Sequence, residues 1–412
     1  MVILSLFDGM SCGAISLYDM GIIPDTYYAS EVDKHAIEQT RLNFPNTIHL
    51  GDVRDIDVSK LKSIDLLIGG SPCQSFSFAG KRNGMSTKCE VELTRLEQYL
   101  EFKVEGFEFE GQSYLFWEYM RILTDIRKYN PDVLFLLENV EMGKKWERVL
   151  SEAIGIYGVH VNSALVSAQN RKRIYWTNIR VKKVGLFGEL HSDIPQPADR
   201  GILLKDILEK EVDEKYYLSD RMVSFLTNHS DKKQAEGCGF KFNPIDGDKK
   251  ASTVTQRSYK MGVDDNYVCV SMVGRKTDEN GTRKDNDPNL KAVQLLEPNL
   301  NGKTNCLTSV QKDNLVLTIK SGTLRTHKDG NGFREVKSGK GACVPARARE
   351  DGSGQNVTMI GSRVRRLTPT ECARLQTIPD WYTWIVSDTQ QYRMLGNGWT
   401  NEVIKHILSF IH

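Results

Sequence analysis

Over the first 180 residues, short apolar runs alternate with amphipathic stretches. Ile3 to Phe7, Tyr27 to Ser30, Ile64 to Ile68 and Val133 to Leu137 have strand length and little internal polar alternation. Runs of this kind belong to strands covered on both faces, as in a parallel sheet. Ile48 to Leu50, Val159 to Val166 and Ile174 to Ile179 read as further strands. The intervening stretches Ala14 to Met20, Lys34 to Asn43 and Leu115 to Lys128 read as helices, the second ended by Pro45. Strand and helix in alternation predict an α/β fold with a mostly parallel sheet. Near the far end, Thr368-Pro-Thr-Glu371 reads as a capping box with proline at the first helical position, opening a helix through Leu375. Gly396 to Thr400 reads as a turn. Val403, Ile404, Ile407, Leu408 and Ile411 then share one face of a last helix.

Two stretches break this rhythm. Residues 85–112 are charged and without period, and predict a long, mobile excursion. Residues 184–360 hold short β-like pieces, such as Asn266 to Ser271 and Asn314 to Ile319, between Gly, Asn, Asp and Lys. A faint echo links Lys250-Ala-Ser-Thr-Val-Thr255 to Lys303-Thr-Asn-Cys-Leu-Thr308, as a duplicated hairpin or by coincidence. The expected division is 1–183 and 361–412 as one α/β domain, with 184–360 inserted as a smaller, mainly β domain.

With 412 residues, the chain is long enough for two domains. No apolar run reaches ~18 residues, so no membrane span is expected. The apolar start lacks a basic n-region and is broken by Asp8, so it reads as a first strand and not as a signal peptide. Eight scattered cysteines form no Cys-x-x-Cys pair, which predicts neither structural zinc nor a disulfide framework. A reducing cytoplasm is the expected setting. Charge is uneven: residues 1–179 carry 19 basic and 24 acidic side chains, residues 180–365 carry 32 and 25. The inserted segment is therefore the part suited to a polyanion, although a solvated surface gives the same count.

The strand ends carry the candidate chemistry, since ligands of open α/β sheets bind beyond the carboxyl ends of the strands. The first strand runs into Asp8-Gly-Met-Ser-Cys-Gly13, a turn that lets a ligand approach backbone amides. The second ends at Glu31, 22 positions after Gly9, where a ribose hydroxyl is commonly held. The third leads to Asp52. Turn, carboxylate and carboxylate on successive strand ends suggest a nucleoside; taken singly, Glu31 or Asp52 reads by default as ordinary surface, and the glycines read equally as an ordinary strand-to-helix turn. Gly70-Ser-Pro-Cys73 closes the fourth strand, with a thiol on a stiff turn. Cys73 is a candidate nucleophile, or a buried core cysteine. Glu138 ends an all-apolar strand, where a carboxylate is costly unless paired or used; capping the next helix is the bland role. Arg171 and Arg173 alternate in an extended segment between strands.

Together these stretches resemble the DNA cytosine-5 methyltransferases. Phe7-Asp-Gly-Met-Ser-Cys-Gly, Glu31, Asp52, Gly70-Ser-Pro-Cys-Gln, Glu138-Asn-Val, Gln169-Asn-Arg-Lys-Arg, Arg366-Leu-Thr-Pro-x-Glu-Cys and Gly396-Asn-Gly-Trp look like the family's motifs, in its order. The likeness covers residues 1–180 and 361–412. It departs at Asp8 and Ser11-Cys12, where many bacterial members have Ala and Gly-Gly, and at Ala79, often Ser. The first turn and Ser167 to Arg171 look closer to the animal de novo enzymes and to some bacterial and phage members.

The resemblance implies a Rossmann-like S-adenosylmethionine-dependent domain with a target-recognition domain. It implies a methyl transfer to C5 of a flipped-out cytosine in duplex DNA of specific sequence, through a Cys73–C6 adduct. Cys73, Glu138, Arg171 and Arg173 would be catalytic. Phe7, Gly9, Glu31, Val32, Asp52, Pro72, Asn397 and Gly398 would hold the cofactor S-adenosylmethionine. No metal is implied. The expected partner is double-stranded DNA bound by a monomer; a cognate restriction enzyme, where one exists, need not touch it. The alternatives are a tRNA cytosine-5 methyltransferase, separated by activity on duplex DNA against tRNA, and a silent DNA-binding homologue, disfavoured by intact Cys73, Glu138 and Arg171. A dehydrogenase shares only the glycine turn.

Overall fold

In a computed structural model, residues 1–72, 85–219 and 365–411 are described, with short pieces between 221 and 254 and the backbone of six strands between 267 and 366. Contacts divide the chain into two units. The first comprises Met1–Ile207, Lys250–Gly262 and Pro369–His412; the second comprises Leu208–Lys249 and Val263–Thr368.

The first unit is built on a seven-stranded sheet. Its strands are β1 (Val2–Leu6), β2 (Thr26–Ser30), β3 (Ile48–His49), β4 (Leu66–Gly70), β5 (Leu134–Val140), β6 (Val159–Asn162) and β7 (Lys172–Thr177), in the order β3-β2-β1-β4-β5-β7-β6. The first five run parallel, while β7 is antiparallel to β5 and to β6. Ile3, Leu4, Leu66, Leu67, Ile68, Phe135, Leu136 and Leu137 are all buried. Both faces of the central strands are therefore covered, the reason their sequences lack polar alternation. From β1 the chain builds outward through β2 and β3, then returns to lay β4 on the other side of β1. That reversal opens a crevice at the carboxyl ends of β1 and β4, where ligands of such sheets bind.

The α-helices described in the first unit are α1 (Cys12–Asp19), α2 (Lys34–Asn43), α3 (Leu96–Val104), α4 (Phe116–Tyr129), α5 (Lys144–Ile154), α6 (Pro369–Leu375), α7 (Asp388–Asn397) and α8 (Asn401–Leu408). Asp33 caps α2 by accepting from the His35 amide. Gly13 lets α1 lie close on β4, since a Cβ there would come within 2.2 Å of Ile68 Cδ1. The last helix returns to the first. Ser16 donates to Asn401 at 2.6 Å, and Lys405 pairs with Asp19 at 2.6 Å.

Two expectations need correction. Residues 85–112 are not irregular throughout, because α3 lies within them and packs on α4. Met85, Leu93 and Tyr99 are buried there, and Glu118 on α4 accepts from Tyr99 at 2.6 Å. Local charge hid the few apolar anchors that fold this stretch onto the core. Gly396 to Thr400 is not simply a turn either: Gly396 and Asn397 form the last residues of α7, and Gly398 is its cap. Tertiary contacts carry that helix past a glycine that local propensity would have used to end it.

Residues 184–207 and 250–262, expected in the inserted segment, belong to the first unit. Lys250 Nζ donates to the carbonyls of Ala164, Ser167 and Ile202, and Ala251 bridges Gln169. In the second unit, β8 (Tyr267–Arg275) lies between β9 (Val293–Glu297) and β13 (Arg363–Arg366), while β10 (Lys320–Arg325) lies between β11 (Gly332–Glu335) and β12 (Asn356–Met359). All four pairings are antiparallel. The first of these sheets includes the strand expected at 266–271; the strand expected at 314–319 and the echo at 303–308 lie outside the described residues.

Candidate active site

The carboxyl edge of the sheet brings the predicted residues together in two groups. The first lies where β4, β5 and β7 meet. Parallel register sets Gly70 beside Glu138, and antiparallel register sets Glu138 beside Tyr175 and Val140 beside Arg173. Because β7 runs backwards, its first residues share an edge with the last residues of β5. Arg173 Nε reaches Glu138 Oε1 at 2.9 Å, with both side chains largely buried. Asn139 donates to the carbonyl and hydroxyl of Ser71 at 3.2 and 3.0 Å, tying the start of the Ser71-Pro72 loop to β5. Gly70 is required by close approach: a Cβ would lie 2.9 Å from Trp399 Nε1 and 3.1 Å from Glu138 Oε2. Pro72 is half-buried. Cys73 lies outside the described residues.

Arg171 does something different from Arg173. Only 3% exposed, it donates to the carbonyls of Val254 at 3.2 Å, Gly396 at 3.2 Å and Gly398 at 2.8 Å. The end of α7 and the segment at 254 are thus gathered onto one guanidinium just before β7. Charge-assisted bonds to several carbonyls suit the five-donor fork of arginine. Two residues singled out separately, Arg171 and Gly398, prove to be in direct contact. Gln169 acts alongside, donating to the Leu375 carbonyl at 2.8 Å and accepting from the Val254 amide at 3.1 Å.

The second group lies at the ends of β1, β2 and β3. Glu31 accepts from the Gly9 amide at 2.8 Å with one oxygen and from the Val32 and Asp33 amides at 2.7 and 2.8 Å with the other. Its carboxylate therefore fixes the glycine turn relative to β2. Val32 is 69% exposed, an apolar side chain left open beside that carboxylate. Phe7 is partly buried against the core. Asp52 opens the short turn of helix after β3 and is held by Arg54, with Nε at 3.0 Å and Nη2 at 2.5 Å. The Arg54 hydrogen bonds keep its carboxyl below the ordinary range. Asn397 ends α7, and Gly398 packs against α1, where a Cβ would lie 3.1 Å from Cys12 Sγ. Cys12 Sγ accepts from the Trp399 amide at 3.3 Å, and burial pushes its thiol up to about 12. It is inert structure linking the two groups, a role that spacing alone did not signal.

Sequence reasoning also passed over Asp8 as a functional residue. It is buried, accepts from Tyr27 Oη at 2.8 Å and from the Ser11 hydroxyl, and has its carboxyl pushed up to about 6 by burial. The available signal was an acidic residue inside an otherwise apolar strand end. Among the described residues no cluster of His, Cys, Asp and Glu could hold a metal ion, and no helix is long and apolar enough to cross a membrane.

Five parallel strands with a reversed β7 inserted before β6, and a glycine turn and carboxylates along one edge, define a Rossmann-like S-adenosylmethionine-dependent methyltransferase fold. The family follows from comparison: the model of the C-5 cytosine-specific DNA methylases matches residues 1–412, so the chain belongs to that family. It is 27% identical to the orphan methyltransferase M.SPRI of Bacillus phage SPR, covering 98% of this chain and 96% of that protein. It is 25% identical to the type II methyltransferase M.HpaII of Haemophilus parainfluenzae, covering 96% and 84%. Among solved structures it shares its fold with the Dnmt2 methyltransferase of S. pombe, at a TM-score of 0.52 and 15% identity over 100% of this chain and 98% of that one. The EhMeth methyltransferase of Entamoeba histolytica superposes at 0.56 with 12% identity, covering 100% and 97%. The protein is a DNA (cytosine-5)-methyltransferase, and its methyl donor is S-adenosylmethionine.

Proposed function

We propose that the chain methylates a flipped-out cytosine within a specific duplex sequence, with Cys73, Glu138, Arg171 and Arg173 as the chemical apparatus. The observation that carries this reading is the Glu138–Arg173 pair at 2.9 Å on the edge from which the Ser71-Pro72 loop leads to Cys73. Cytosine C5 is a weak nucleophile within an aromatic ring. Addition of the Cys73 thiolate to C6 forms the S–C6 bond and moves the ring electrons toward C5, where the new C–C bond to the methyl group can form. Glu138 would hold N3 and the exocyclic amine, supplying the proton that neutralises the ring as charge develops. Arg173 keeps that carboxylate oriented and adds positive charge beside it. Arg171 acts through its carbonyl contacts, setting the α7 end against β7. Water then removes the C5 proton, the electrons of that bond expel Cys73 as the thiolate, and the N3 proton returns to Glu138. The ring edge cannot be reached inside a duplex, so the base must leave the stack.

The residues of the second group suit the cofactor. Glu31 offers carboxylate oxygens for ribose hydroxyls, and exposed Val32 with Phe7 offers apolar surface for a planar base. Gly9, Asp52, Pro72, Asn397 and Gly398 complete the proposed set. Bound there, S-adenosylmethionine would supply an electrophilic methyl carbon, its S–CH3 bond breaking as the bond to C5 forms and S-adenosylhomocysteine leaving. Residues 184–360 are proposed to contain the target-recognition domain, on the basis of their basic excess and the antiparallel strands of the second unit. Binding is proposed to be as a monomer.

The test is covalent capture. Duplex carrying 5-fluorocytosine at the target should form a stable adduct, because fluorine cannot leave as a proton does, and Cys73→Ala should abolish it. An adduct mapped to Cys12 or Cys89 would overturn the assignment.

A further inference from the structure

We propose that Asp8 is a positioning residue for the cofactor: its carboxylate locks the turn between β1 and α1 into the shape that receives S-adenosylmethionine. The inference rests on the placement of the cofactor at that turn.

The turn has an unusual backbone. Phe7, Gly9 and Ser11 all lie in the left-handed region, with φ of 56°, 58° and 62°. Glycine takes that conformation freely, but Phe7 and Ser11 do not, and such residues persist only when their surroundings hold them. Asp8 provides the hold. Its amide donates to the Ser30 carbonyl at 3.0 Å, and its carbonyl accepts from the Ser11 amide at 3.0 Å. Its side chain accepts from the hydroxyls of Ser11 and Tyr27 and from Ser5. Ser11 Oγ meets Thr40 Oγ1 at 2.9 Å, which extends the network to α2. One carboxylate thus joins β1, β2, α1 and, through Ser11, α2. The Gly9 amide, held by Glu31, lies in the middle of the turn.

The network is built from hydroxyl donors, which favour the ionised carboxylate. No lysine, arginine or histidine is bonded to Asp8 among the described residues. The titratable groups that face it are Glu31 after β2, Tyr27 on β2, Cys12 on α1 and Tyr382 near the end of the chain. Burial, with a smaller contribution from Glu31, brings its carboxyl up to about 6. Protonation turns an acceptor into a donor and so breaks at least one of the hydroxyl bonds. The turn is therefore locked well above pH 6, and the lock is lost as pH falls through about that value. Cofactor affinity follows in the same direction.

The experiment measures equilibrium binding of S-adenosylmethionine and of S-adenosylhomocysteine to the full chain between pH 5 and 8. Wild-type affinity for both should fall below pH 6, approaching about tenfold per pH unit for one linked proton. Asp8→Asn cannot accept from all the hydroxyls, and should bind both ligands about tenfold more weakly at pH 7.5, with no midpoint near 6. Tyr27→Phe keeps the carboxylate but removes a donor to its ionised form, so the midpoint should move to higher pH; this variant and the wild-type titration decide the matter if Asp8→Asn does not fold. Wild-type affinity that is flat in pH, or a midpoint that survives in Asp8→Asn, overturns the proposal. So does an effect confined to the positively charged S-adenosylmethionine, which would make Asp8 a counter-charge and not a lock. Glu31→Ala separates the premises: binding unchanged there means that the cofactor lies elsewhere, whereas binding lost there and untouched in the Asp8 and Tyr27 variants refutes Asp8 alone.

Discussion

Replacing Glu138 by Gln removes one charge and almost no volume, which isolates the proposed chemistry from packing. In the wild type, Glu138 Oε1 meets Arg173 Nε at 2.9 Å, with side-chain exposures of 10% and 13%. Removing one member of a buried pair outright costs ~3–5 kcal/mol, mainly because the other charge is left without a partner. Glutamine retains an oxygen that can accept from Arg173 Nε, so the expected loss of stability is smaller, ~1–2 kcal/mol. The catalytic loss should be larger. A carboxyl that donates a proton to the ring contributes on the order of 10²–10⁴ in rate, or ~3–5 kcal/mol in the barrier. The assay is single-turnover transfer of labelled methyl to saturating duplex, run beside urea unfolding and direct cofactor binding. The expected result is a rate down by at least about a hundredfold, a modest shift in the unfolding midpoint and unchanged cofactor affinity. A rate within twofold of wild type would refute the reasoning and leave Glu138 as a tether for Arg173.

Two further outcomes follow from the structure. Glu118 is fully buried and bonded to Tyr99, Lys103 and Arg121, so Glu118→Ala should cost ~3–5 kcal/mol in denaturant unfolding by stranding those partners; a cost below ~1 kcal/mol would show that α3 is held by its apolar contacts alone. Exchanging residues 208–249 and 263–368, the second unit, for their counterpart in a methyltransferase of known and different target should transfer that target, read by bisulfite sequencing; a folded, active chimera that still methylates the original sequence would move recognition elsewhere.

The local character of the sheet was determined by sequence alone. Apolar runs at Ile3, Ile64 and Val133, interrupted only by Ser5 and Asp65, read as strands covered on both faces, and the glycines and carboxylates at their ends marked the reactive edge. The family, too, was legible, because the motif residues stand in order along the chain. Tertiary structure decided what those residues touch. Reversal of β7 brings Arg173 to Glu138, and no local period encodes strand direction. Arg171 turns instead to the carbonyls at 254, 396 and 398, contacts made across 83, 225 and 227 residues of chain. Residues 85–112 looked loose because their anchors, among them Tyr99 and Glu118, belong to a network that only α4 completes. Asp8 read in sequence as the residue that ends the apolar start and opens the turn; burial and three hydroxyl partners, two of them outside its own turn, give it an environment of its own. Strand-forming tendency is a property of neighbours along the chain. Electrostatics and close approach depend on distance in space, which is why the elements could be read in the sequence and the wiring of the site could not.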